Sequence, residues 1–165
     1  MNADTPARTN GNGSSNGNQT SADAKNFLLQ QLYIKDLSFE SPSSPQVFQA
    51  GKVEPETELN IRNGHVELGD DLFEVKLHVT VHAKHSEQTI FLAELEQAGV
   101  FLIKGYTSEE TNMLLGTHCP ATLFPYARET VSSLIGKGGF PPLVLQPISF
   151  EALYARAREQ QSAQA

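Results

Sequence analysis

Residues 72–84 alternate without a break. Phe73, Val75, Leu77, Val79, Val81 and Ala83 fall on one parity, and Glu74, Lys76, His78, Thr80, His82 and Lys84 on the other. Successive side chains of a strand point to opposite faces, so this stretch reads as a strand with one apolar face and one wet face. A half-wet sheet indicates antiparallel pairing, because parallel sheets are covered on both sides. His85-Ser86-Glu87 is a short connection, so residues 88–103 are expected to pair antiparallel with this strand. Ala98-Gly99 inside that second run marks a bulge or a close backbone approach.

Two further strands precede these. Over residues 27–40, Leu29, Tyr33, Leu37 and Phe39 share a parity, while Asp36, Ser38 and Glu40 share the other. Ser41-Pro42-Ser43-Ser44-Pro45 ends that run, since proline cannot donate to a ladder. From Pro42 to Gly51 the chain reads as a crossover loop bearing the exposed apolar groups Val47 and Phe48. Residues 57–62 alternate again, and Asn63-Gly64 after them is a turn signal.

Beyond residue 103 the period changes. Thr107 to Leu115 reads as a short helix before His118-Cys119-Pro120. Leu123, Ala127, Val131 and Leu134 make one face of a longer helix. Pro125 places its first turn nearby, and Gly136 with Gly138-Gly139 stops it. Residues 140–147 read as an extended linker, and Ser149 as the N-cap of a last helix over 150–160. Strands followed by helices predict an α+β domain, with a four-stranded antiparallel sheet and helices packed on one face. Residues 1–26 are rich in Asn, Gly, Ser and Thr and read as a disordered polar tail. The folded domain is then 27–160, with a flexible end at 161–165.

Charge and composition exclude several functions. The net charge is −7, and residues 26–127 hold 14 acidic against 6 basic side chains. Such a surface suits a basic protein partner and not nucleic acid, whose affinity comes from clustered Lys and Arg. No apolar run is long enough to cross a bilayer, and residues 1–11 lack the apolar stretch of a signal peptide, so no membrane insertion is expected. The single cysteine, Cys119, fits a reducing cytosol.

Candidate chemistry is sparse. His78 and His82 share a strand face but stand roughly 13 Å apart, too far for one metal ion. His118 and Cys119 are sequence neighbours with no orienting third group. No nucleophile elbow, Walker loop or dinucleotide fingerprint is present, so neither an enzyme nor a cofactor is expected. Two features remain. Asp36 and Glu40 share a parity on one strand, as do Leu92, Glu94 and Glu96 on another, which would make an acidic patch if both faced outward. The plainer reading is a solubilising sheet face. Apolar groups also lie outside regular elements, at Val47, Phe48, Phe140, Pro141, Pro142, Leu143 and Val144, and these either plug the core or line a groove.

Three motifs in order carry a resemblance. They are Tyr33-Ile34-Lys35-Asp36-Leu37-Ser38-Phe39-Glu40-Ser41-Pro42; Cys119-Pro120 with Leu123-Phe124-Pro125-Tyr126-Ala127-Arg128-Glu129; and Gly139-Phe140-Pro141-Pro142-Leu143 through Pro147 to Phe150-Glu151-Ala152-Leu153-Tyr154. Over most of residues 32–154 the chain resembles the SecB family of export chaperones. The resemblance implies a homotetramer built as a dimer of dimers, with long grooves that accept unfolded precursor proteins in the cytosol without ATP. It implies docking of the zinc-bearing C-terminal segment of the motor SecA onto Asp36, Glu40, Leu92 and Glu94. The zinc belongs to that partner. Ala93 stands where the family often has a cysteine, and Gln97-Ala98 is also varied, which bears on the strength of the tetramer.

A holding chaperone must bury many different apolar sequences with little demand for exact shape. The groove is therefore expected to use Val47 and Phe48, Phe124 and Tyr126, and Phe140 and Leu143. The alternative is an adaptor of the same fold for one dedicated client, for example controlling a toxin–antitoxin system. Such an adaptor would lack the docking residues, which this sequence has.

Overall fold

A computed structural model of the chain describes residues 24–163. Most of the expected polar tail lies outside them. The elements run β1 (Asn26–Glu40), α1 (Gln46–Gln49), β2 (Glu56–Gly69), β3 (Leu72–His85), β4 (Gln88–Lys104), α2 (Ser108–Gly116), α3 (His118–Lys137) and α4 (Phe150–Ala163). The four strands form one antiparallel sheet in the order β1-β4-β3-β2. Val75, Leu77, Val79, Val81 and Ala83 are wholly buried on one face of β3, as the alternation predicts. Each such Val or Leu contributes about 1.5–3 kcal/mol on burial.

Helix α3 covers that face with Cys119, Pro120, Leu123, Phe124, Ala127, Val131 and Ile135. Gly99 is a close-approach glycine and not a bulge in its own strand. A Cβ there would lie 2.9 Å from Leu29 and 3.0 Å from Leu123 of α3. The irregularity sits on β1, whose register with β4 shifts between Leu29 and Gln31 and again between Ile34 and Asp36.

Those shifts correct the expected parity of β1. Tyr33 pairs with Ala98 and Asp36 with Glu96, so both stand on the outer face, away from the helices. Phe27, Leu29, Leu32 and Phe39 turn inward onto the core. Two residues with the same sequence parity can thus face opposite ways, because each bulge adds one residue to one strand.

The expected turn at Asn63-Gly64 is also corrected. Both residues lie within β2, paired with Leu77 and Lys76. The chain turns instead at Asp70 and Asp71, whose φ angles of 53° and 62° place both in the left-handed region. Aspartate tolerates that region and suits a two-residue hairpin.

Helix α3 begins at His118, so Pro125 lies in its interior and not in its first turn. Its missing N–H leaves one intrahelical bond unmade. Helix α2 is closed at its start by a capping box between Thr107 and Glu110. At the end of α3, Phe140 N–H donates to Ile135 at 3.3 Å and Gly139 N–H to Gly136 at 3.1 Å, with Gly139 at φ 88°. That is the glycine-dependent helix stop the sequence signals.

Candidate functional site

The outer face of the sheet gathers the acidic residues. In register, Asp36 faces Glu96, Ser38 faces Glu94 and Glu40 faces Leu92 across β1 and β4. On the far side, His78, Thr80 and His82 of β3 face Glu96, Glu94 and Leu92. Asp36, Glu40, Leu92 and Glu94 therefore form one contiguous patch. Like charges set directly opposite one another weaken a sheet. Lys76 offsets part of this, pairing with Glu96 at 3.2 Å. Asp36, Glu40 and Glu94 have no ion-pair partner among the described residues. The patch thus presents three uncompensated carboxylates around one apolar side chain, Leu92.

Beside it lies a tight polar cluster. The Tyr33 hydroxyl donates to Glu74 Oε1. Lys35 Nζ donates to both oxygens of Glu74, at 2.6 and 2.9 Å. Glu74 is a buried carboxylate. Its pKa lies below the ordinary value because of the hydrogen bond from Lys35 first and that from Tyr33 second. Burial and then Glu74 push the Tyr33 phenol up to about 12. Ala98, fully buried, stands between Tyr33 and Lys76 in register. Its short side chain leaves room for groups on β1 and β3 to meet above β4.

The apolar candidates divide. Val47, Phe48, Phe140 and Leu143 come together around an open cleft of about 520 Å³, whose wall also includes Ile90 and Phe91. Phe140 sits at the centre of an aromatic cluster, with ring centroids 4.9 Å from Phe91, 5.3 Å from Phe48 and 6.4 Å from Phe39. Separations of 4.5–7 Å are those at which aromatic pairs attract beyond simple burial. Phe48 leaves 53% of its surface exposed there.

Two expected groove residues lie elsewhere. Phe124 is buried in the core, its ring edge-on to Phe150 at 5.9 Å, because it continues the inward stripe of α3. Tyr126 is exposed, but beside Pro125, Leu32 and Ile34 on the β1 side. Ile90 and Phe91 were hidden from pattern reading. A register shift between Ala83 and Lys84 lets both adjacent residues be buried.

The reactive-residue candidates separate as well. Cys119 is fully buried, and burial pushes its thiol up to about 12, which keeps it neutral and unreactive. His118, next to it, is exposed and packs edge-on against Phe27 at 6.4 Å. No three metal-ligating side chains converge among the described residues. No helix there is long and apolar enough to cross a membrane.

Comparison with known proteins adds the following. Residues 20–161 match the family model of SecB, preprotein translocase subunit SecB. A protein-export protein SecB of Nitrosococcus oceani is 48% identical over 135 residues, covering 81% of this chain and 82% of that one. The protein of the same name from Methylococcus capsulatus is 52% identical over 130 residues, covering 79% and 83%. Among solved structures, the fold is similar to a SecB-like chaperone of Mycobacterium tuberculosis bound to a peptide from an antitoxin. The TM-score there is 0.57 at 21% identity, over 74% of this chain and 91% of that one.

Proposed function

The chain belongs to the SecB family, and from that premise we propose how this export chaperone divides its work between two sites. Unfolded secretory precursors are held in the cleft around Phe48 and Phe140, and the motor SecA docks on the patch of Asp36, Glu40, Leu92 and Glu94. One observation carries this reading. Phe39 and Phe91, stacked at 5.8 Å behind the cleft, are the immediate sequence neighbours of Glu40 and Leu92. Alternate residues of a strand face opposite ways. The two sites are therefore back to back on the same two strands, and client and motor can be engaged at once without competing for surface.

The cleft suits holding. It is open and walled mainly by aromatic and aliphatic groups, which bury apolar segments of many shapes. Release follows from handover to the motor and needs no nucleotide hydrolysis. The patch suits a basic segment, and its zinc would come with the partner. Charge-led docking weakens with salt, since the Debye length is ~10 Å at 0.1 M. The working assembly is a cytosolic dimer of dimers. Four protomers multiply local sites and raise avidity by ~10²–10⁴ over a single cleft.

The test is to dilute a chemically unfolded secretory precursor into buffer with and without this protein, with no nucleotide, and follow refolding. Refolding that stalls in proportion to the protein added supports nucleotide-free holding. Unassisted rates across a broad set of precursors would end the general chaperone reading in favour of a dedicated-client adaptor.

A further inference from the structure

Asp36 and Glu40 reach the outer face only because of the second bulge of β1. Tyr33 stands outward, opposite Ala98, and Ile34 inward, opposite Gln97. Lys35 is next outward, with its ammonium on Glu74. Strict alternation would then turn Asp36 inward. Instead the register shift between Ile34 and Asp36 puts Lys35 and Asp36 on the same face, and Leu37 and Phe39 on the inner one. A one-residue slip exchanges the faces of every residue that follows. Without the bulge, Asp36, Ser38 and Glu40 would point at the helices and Phe39 would leave the aromatic cluster.

The bulge is held from both sides. On the outer face, Lys35 is clamped by both oxygens of Glu74, which also takes the Tyr33 hydroxyl. On the inner face, the buried Gln97 donates its Nε2 amide to the Tyr33 carbonyl at 2.9 Å, at the entrance to the bulge. Glu74 is anchored two strands away on β3, so the clamp ties the edge strand β1 across β4 to the middle of the sheet. Bulges re-aim side chains and are retained where that aim matters.

We propose that Tyr33, Lys35, Glu74 and Gln97 are positioning residues that fix the β1 bulge and thereby aim Asp36 and Glu40 at the docking partner. The proposal rests on the reading of the outer face as the docking site. It assigns these four residues no contact with the partner. Lys35 and Glu74 neutralise each other, so their part is geometric and not a contribution to the acidic field.

The test uses the full chain and a synthetic peptide of the zinc-bearing C-terminal segment of SecA. Titration calorimetry compares wild type, Asp36→Asn, Glu74→Ala, Tyr33→Phe, Lys35→Met and Lys35→Arg. Amide hydrogen exchange is measured at residues 34–38 without peptide. Misaiming Asp36 and Glu40 forfeits charged hydrogen bonds, so Glu74→Ala and Lys35→Met are expected to weaken docking by about tenfold or more. Lys35→Arg, which keeps the ion pair, restores it, and client holding is unchanged throughout. Exchange at residues 34–38 rises in Glu74→Ala and Lys35→Met and to a smaller degree in Tyr33→Phe, and stays at the wild-type level in Asp36→Asn and Lys35→Arg.

If Asp36→Asn weakens docking while Glu74→Ala docks like wild type, the clamp is wrong and the docking face stands. If Asp36→Asn docks like wild type, the docking face is wrong, and unchanged exchange at 34–38 in Glu74→Ala then overturns the clamp as well. Should Glu74→Ala fail to fold, Tyr33→Phe removes one hydroxyl only, and wild-type exchange and docking in that variant overturn the proposal.

Discussion

Gly138 closes α3 directly beneath the aromatic cluster, and replacing it with alanine tests that packing. Its φ of −72° suits any residue, and its N–H already bonds Leu134 at 3.0 Å. On backbone grounds alone, Gly138→Ala should stabilise a helix end by up to about 1 kcal/mol. The surroundings reverse the sign. A Cβ there would stand 2.2 Å from Phe39 Cζ and 2.5 Å from Cε1. Carbon contacts are comfortable at ~3.5–4.0 Å, so the ring must move by roughly 1.3 Å or more. It has little freedom to do so, with Phe91 stacked at 5.8 Å and Phe140 at 6.4 Å. Overpacking of this kind costs about 1–3 kcal/mol, which lowers Tm by roughly 2–12 °C in a chain of this size. Calorimetry at fixed protomer concentration checks this, since Tm of an oligomer depends on concentration. Adding Phe39→Leu removes the colliding ring atoms, so the double variant should cost less than the sum of the two single changes. A Gly138→Ala protein as stable as wild type, or strict additivity in the double variant, would refute the packing argument.

Three further outcomes follow from other parts of the molecule. Phe48→Ser should destabilise by only about 1–2 kcal/mol, because half the ring is already exposed and one aromatic pair is lost, yet it should weaken client holding in the refolding assay. The Cys119 thiol, buried with its pKa pushed up to about 12, should resist an aromatic disulfide reagent at pH 8 in the native protein and react at once in denaturant. Stability should fall at both ends of the pH scale through the Tyr33–Glu74 pair, as read by denaturant titrations across pH. The folded Tyr33 keeps its proton to about 12, so stability is lost as pH rises from 10, where the unfolded chain ionises. Glu74, held below its ordinary value, contributes above that value and loses its contribution as pH falls through the depressed one. Tyr33→Phe should remove the alkaline loss and shrink the acid one, because its hydroxyl is the second cause, after Lys35, of the lowered Glu74 pKa.

The sheet was legible where one strand has one wet and one dry face. The run from Phe73 to Lys84 needs no neighbour to be read, because its parity is set within the strand. The acidic patch was half legible for the same reason. Parity groups Asp36 with Glu40, and Leu92 with Glu94, but it cannot say which faces coincide. That depended on two bulges in β1, which leave no composition signal. Bulge positions are fixed by partners distant in sequence, here Glu74 and Gln97. Asn63-Gly64 is a stronger local turn signal than Asp70-Asp71, yet tertiary pairing with Leu77 and Lys76 holds Asn63 and Gly64 in β2. Phe124, expected in the groove, lies in the core, and the sequence carries the signal for it. With Pro120, Ala127, Val131 and Ile135 it follows helical spacing, and a start for α3 at His118 would have put it in the core. The cleft is legible only as loose apolar groups: Val47 and Phe48, expected in a loop, lie in the one-turn helix α1, which meets the 140–147 linker through the fold and not through any local period.

The most direct test of the two-site account is to measure docking and holding in the same samples. Glu40→Gln and Glu94→Gln together remove two of the three uncompensated carboxylates of the patch without touching the cleft. The account predicts that the SecA peptide binds this variant at least about tenfold more weakly, with a flatter dependence on salt, while an unfolded precursor is held as well as by wild type. Unchanged docking, or a loss of holding in step with docking, would contradict it.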